Sequence, residues 1–238
     1  MRNFLLMVAA VALCGLQARI ADAQGIPGGG MGGGGRGQQM PPGAGGMPDE
    51  APTVADDKPD VAAKKYLKAA YKALDKAKSF EADAAATHDP DKKAKDLERV
   101  NNQYSIALDA FTEALSNKGD LVEAWDQVGY VHLHMGAYRE AIDDYNHTLT
   151  LRPELMEAIE HRAEAYLAVD HLDEVKIAYM DLYNHAPDLA AQLMATMQKW
   201  LAARQADPGA SRNAEAEAFA KWVGDRDGIA KQTASLPH

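Results

Sequence analysis

The chain has 238 residues, of which 47% are hydrophobic and 25% charged, and its 35 acidic against 25 basic side chains give a formal net charge of −10. That balance is sufficient for a packed core and argues against nucleic-acid binding, which wants a strongly basic surface. Cys14 is the single cysteine, so no disulfide within the chain is expected.

Residues 1–23 have the pattern of an export signal. Arg2 supplies the positive start, Phe4 to Leu13 is a short apolar core, and Ala21-Asp22-Ala23 is a small-x-small cleavage site before Gln24. The apolar run is shorter than the roughly 20 residues that span a bilayer, so the processed chain is predicted not to be an integral membrane protein. Export places it in the periplasm or outside the cell. Lipidation at Cys14 is disfavoured because Leu13 stands where a small residue is wanted.

Residues 24–60 read as a linker. The run from Gly28 to Gly35 and the Met40-Pro41-Pro42 and Met47-Pro48 steps carry no periodicity and cannot bury a core, which predicts disorder. Between Val61 and Phe80 the composition changes to six lysines and one acid, Asp75. Lys64, Lys65, Lys68, Lys72 and Lys76 are expected to form the solvated side of an amphipathic helix, with Leu67, Ala70, Tyr71 and Leu74 on the other side.

From about residue 100 the chain matches itself after a shift of 34 positions. Ala107, Phe111 and Leu115 fall on Ala141, Tyr145 and Leu149, and Trp125, Glu140, Tyr145 and Pro153 fall on Ile159, Glu174, Tyr179 and Pro187. A fixed period in the thirties, filled with helical spacing and punctuated by proline, signals a stack of helix hairpins. In the best copy Trp125, Val128, Gly129 and His132 form one apolar-facing stripe and Ala141, Ile142, Tyr145, Thr148 and Leu149 form the other. Gly129 and Ala141 let the two helix axes approach, Met135-Gly136 makes the turn, and Pro153 ends the hairpin. Trp125 is expected to be a buried packing anchor.

The stretch Val122–Leu155 resembles the tetratricopeptide repeat (TPR), with Trp125, Gly129, Gly136, Tyr138, Ala141, Tyr145 and Pro153 at that family's spacings. A second copy over 156–189 keeps Ala163, Tyr166, Leu172, Tyr179 and Pro187, and a degenerate first repeat covers 61–121, with Gly119 in place of the proline. Residues 190–238 provide capping helices and a tail: Leu193, Met194, Met197, Trp200 and Leu201 on one helix, then Phe219, Trp222 and Val223 on a shorter one after Asp207-Pro208-Gly209. The fold implied is all-α, a right-handed stack of antiparallel helix hairpins forming a TPR-like solenoid.

The resemblance also implies a working surface. In TPR proteins the positions matching Glu123, Asp126, Tyr130, Leu133 and His134, and in the next copy Glu157, Glu160, Glu164 and Leu167, line a concave groove that holds a protein or peptide. Between Asp120 and Ala190 there are 15 acidic and four basic residues, so a basic partner is the electrostatic match. Glu157, Glu160 and Glu164 are expected at the surface. Members that grip a terminal carboxylate use Lys, Arg and Asn at such positions, so that mode is not expected here.

No reaction is indicated. The serines sit in no nucleophile elbow, the glycine-rich stretch leads to no phosphate-binding lysine, and Asp225 to Gly228 fails a calcium-loop register at both ends. Glu157, His161 and Glu164 share a helical face, but no HExxH or cysteine ligand accompanies them, and neither a metal nor a cofactor is expected. The reading is a non-catalytic scaffold or adaptor of the cell envelope. A metal- or small-ligand-sequestering protein using the histidines and acids is the alternative.

Overall fold

A computed structural model describes residues 58–207 and 214–234, and all the regular structure among them is helical. The helices are α1 (Pro59–Ala86), α2 (Pro90–Asn117), α3 (Val122–Met135), α4 (Tyr138–Leu151), α5 (Met156–Ala168), α6 (Leu172–His185), α7 (Pro187–Ala206) and α8 (Ala214–Ala234). Each packs on the next in chain order, and α5 also packs on α3 and α7. The signal and nearly all of the linker lie outside the described residues, as do Pro208 and Gly209.

Local chemistry starts and stops these helices. Proline opens α1, α2 and α7, where its missing N–H costs nothing. The Asp89 carboxylate caps α2 by accepting from the N–H groups of Asp91 and Lys92 at 3.0 and 3.3 Å. Gly136 ends α3 in the left-handed region at φ 77°, and the Ala137 N–H reaches back to the His132 carbonyl at 2.9 Å.

The 34-residue period is written into the backbone. Asp170, 34 positions after Gly136, also has positive φ, at 61°. The His171 N–H bonds to the Tyr166 carbonyl at 2.9 Å, repeating the Ala137 bond. One helix-ending bond occurs three times, from Lys118 to Ala114, Arg152 to Thr148 and Ala186 to Leu182, at 2.9, 2.8 and 2.7 Å. Burial repeats with it. Ala107, Ala141 and Val175 are all 0% exposed, and Phe111, Tyr145 and Tyr179 fill the position one turn later at 0–2%.

Close approach at Gly129 is real. A Cβ there would lie 2.9 Å from a ring carbon of Tyr145, a side chain with no exposed surface and no room to withdraw. The Tyr145 ring therefore lies directly over the α3 backbone, which only glycine permits.

Three expectations need correction, for Trp125, the end of the linker and the last helix. Trp125 is half-buried, its indole N–H donating to the Gly119 carbonyl at 2.9 Å and its ring 4.1 Å from that of His147. It clips the α2–α3 loop down without filling the core. The degenerate first repeat consists of two 28-residue helices, twice the length of the 14-residue α3 and α4. Their interface explains the length: Ala63, Ala70, Ala73, Ala77 and Ala84 are buried along α1, so small side chains sustain close packing where a bulkier face would splay. The linker ends sooner than expected, because α1 begins at Pro59. The last helix is not shorter than its predecessor, with 21 residues in α8 against 20 in α7. Phe219 and Val223 are buried in the core that Leu193 and Met197 begin, and Trp222 meets the Tyr179 ring edge-on at 5.5 Å.

Candidate functional site

The first helices of the successive hairpins, α1, α3, α5 and α7, share a face on which polar and aromatic side chains collect. Their spacing follows from the helix period: Asp126, Tyr130 and His134 recur every fourth residue on α3, as do Glu157, His161 and Glu160, Glu164 on α5.

The face begins on α1, where an open groove is lined by Lys68, Tyr71, Lys72, Asp75 and Ser79. Further along, Glu81 accepts a hydrogen bond from the Tyr104 hydroxyl at 2.6 Å and faces His134 Nδ1 at 3.4 Å. Burial pushes the Glu81 carboxyl up, but His134, Tyr104 and Lys78 together outweigh it and leave it below the ordinary range. The Lys78 ammonium lies 4.8 Å over the Tyr130 ring. That ring is 4.1 Å from His134 and 5.9 Å from His161. Burial, with Glu81 nearby, holds the Tyr130 phenol well above its usual value.

The two repeats meet at α5. Glu160 and Glu164 are 5% and 7% exposed, contrary to the surface position expected of them. Glu164 accepts from the Thr196 hydroxyl of α7 at 3.0 Å, while His161 Nε2 stands 3.6 Å from Glu160. Burial first, then the charge of Glu164, raises the Glu160 carboxyl, and burial raises that of Glu164 against the relief of Thr196 and Lys199. Both hold their protons above the ordinary carboxylate range, Glu160 more strongly. Burial pushes His161 down to about 4, with His134 and Lys78 adding to it, so the imidazole is neutral.

Asp126 and Tyr145 complete the floor. Asp126 accepts from the Gln127 amide at 2.9 Å through one oxygen, and its other oxygen is buried without a partner. Burial, offset by Gln127, and the charges of Glu157 and Glu123 raise its carboxyl. The Tyr145 hydroxyl is likewise buried without a partner, among Asp126, Glu164, Tyr130 and Glu160.

Of the nine residues expected to line the groove, the structure brings Asp126, Tyr130, His134, Glu160 and Glu164 into this cluster. Glu157 is exposed at its edge. Glu123 is also exposed and pairs with Arg152 at 3.1 Å. Leu133 and Leu167 do not line it: they are 3% and 2% exposed, packed in the core between hairpins. Reasoning from the repeats alone missed Lys78, Glu81, Tyr104, Tyr145 and Thr196, which come from α1, α2, α4 and α7. The only available signal was the polarity of His161 beside Glu160 and Glu164. Among the described residues no three His, Cys, Asp or Glu side chains converge as metal ligands, and no helix is long and apolar enough to cross a membrane.

These features define an all-helical protein with a repeating hairpin unit and a polar, partly buried face along its first helices. No protein-family model and no curated protein matches the chain.

Proposed function

We propose that the chain is an exported, non-catalytic scaffold of the tetratricopeptide-repeat kind, and that the face along α1, α3, α5 and α7 is a concave groove for an extended segment of a protein partner. The observation that carries this reading is the coincidence of two periods. The turn hydrogen bonds and the buried positions recur every 34 residues, and the same recurrence brings aromatic and polar side chains onto the first helices in excess of what the core uses. A right-handed hairpin stack curves so that its first helices form the inner wall. Solvating charge alone would not bury Glu160, Glu164 and the Tyr145 hydroxyl on that wall.

Selection of a random peptide library on the immobilised full chain tests the groove. Enriched peptides should lose binding when Glu123 and Glu157, both exposed on the proposed inner wall, are changed to lysine. They should keep it when Asp143 and Asp173, exposed on second helices, are changed in the same way. Equal loss in both variants would reduce the interaction to nonspecific attraction, and the absence of any groove-sensitive peptide would end the scaffold reading. Export has its own check: the mass of the protein recovered from the exporting cell should begin at Gln24. Acylation of Cys14 would replace a free protein with an anchored one.

A further inference from the structure

We propose that the acidic cluster where α3 meets α5 takes the charged end of a lysine or arginine side chain, held between Glu160, Glu164 and Asp126 with the Tyr130 ring beside it. The inference rests on the groove reading and adds what that groove selects.

The cluster gathers several buried carboxyls and, among the described residues, holds no cation between them. Glu160 and Glu164 lie one helical turn apart and are nearly buried. His161 Nε2 stands 3.6 Å from a Glu160 oxygen, beyond hydrogen-bond length. One Asp126 oxygen has no partner. A second observation comes from another helix: the Tyr145 hydroxyl, on a side chain 0% exposed, projects past Gly129 into the same acids without a partner. Leaving such groups unpaired in a low-dielectric interior is costly, and a buried cluster of this composition points to a ligand that supplies several donors at once. An ammonium carries three N–H donors and a guanidinium five, each with the charge that carboxylates require. A neutral hydroxyl would satisfy one acceptor and leave the rest.

The resident cations do not fill this role. Lys78 of α1 lies 4.8 Å over the Tyr130 ring and acts on Glu81 and His161. Lys199 of α7 acts on Glu164 and lowers its carboxyl against the effect of burial. The other titratable neighbours are Tyr104 from α2, His134 from α3, and Glu157 and neutral His161 on α5. Of these, His134 is turned to Glu81 at 3.4 Å.

Without the cation, burial favours the protonated glutamates; an arriving ammonium favours the ionised pair, and the protons leave to solvent. Binding should therefore release protons and strengthen as pH rises. Calorimetric titration of hexalysine and hexa-arginine into the full chain, in two buffers of different ionisation enthalpy, reads both effects. We expect proton release and binding about tenfold tighter at about pH 8 than at about pH 6, the scale of one proton displaced over part of that range. Glu160→Gln and Glu164→Gln match the shape of the protonated side chains, so the fold should survive; each should weaken binding about tenfold and reduce its pH dependence, and the double variant should remove it. Asp143→Lys with Asp173→Lys should leave both unchanged. Binding indifferent to both glutamine variants, or tighter at low pH, overturns the proposal. If library peptides bind in a groove-sensitive manner but carry no basic residue, the cation site fails while the groove stands; absence of groove-sensitive peptides fails the groove itself.

Discussion

Phe111→Ala should lower the unfolding free energy by about 3–5 kcal/mol, and Trp125→Ala by well under half as much, both measured by urea unfolding followed through helicity. Phe111 is 0% exposed and packed in the core shared by α1, α2 and α3, with the Tyr71 ring edge-on at 5.3 Å. Its removal leaves a cavity between two long helices that cannot collapse without sliding their alanine faces apart. Trp125 keeps part of its surface in water and loses mainly an indole hydrogen bond and a contact with His147. Equal losses from the two substitutions would put Trp125 back in the core.

Stability should fall as pH rises from about 5 to about 8, a trend opposite to that of most acidic proteins approaching neutrality. Glu160 and Glu164 have raised carboxyls, so above the ordinary value of 4.5 the folded chain binds protons that the unfolded chain has lost. Their stabilising protonation is complete below that value and disappears as pH rises through the folded values. Asp126 acts in the same direction. His161 works the other way, because its lowered value, about 4 against 6.5, means that the unfolded chain binds the extra proton between those limits. Two glutamates outnumber one imidazole, and above 6.5 the imidazole no longer opposes them. Each net proton is worth about 1.4 kcal/mol per pH unit. Glu81, held low, contributes stability that is lost only below the ordinary carboxylate range and leaves this window untouched. Glu160→Gln should flatten the profile and raise the urea midpoint on the alkaline side. A midpoint that climbs from pH 6 to 8, or a parallel profile in the variant, would remove the buried carboxyls from the account.

Much of the fold was legible because the repeat signals are local. Gly136, the alternating helical stripes and the prolines each act within a few residues, and they place α3 to α6 nearly to the residue. Even where the residue changes, as from Gly136 to Asp170, the backbone keeps the same turn, because the helices on either side force it. What failed was set by neighbours distant in sequence. Glu160 and Glu164 read as solvated charges on α5 alone; Tyr145 from α4 and Thr196 from α7 enclose them. Leu133 and Leu167 were assigned to the groove by position, but each lies at the C-terminal end of a first helix, where the next hairpin covers it. The length of α1 and α2 was hidden because an alanine and lysine pattern carries little contrast between core and surface.

The chain of side-chain contacts along the first helices has a mechanical meaning. Linear hairpin stacks ordinarily communicate only between nearest neighbours, so their ends fray independently and unfolding can proceed piece by piece. Here Lys78 and Glu81 reach Tyr130 and His134 of the following hairpin, Tyr130 reaches His161, and Glu164 reaches Thr196. Together these contacts make a continuous strap over four successive hairpins. Opening any one hairpin then breaks contacts that belong to its neighbours as well, so the four should come apart together and not from one end.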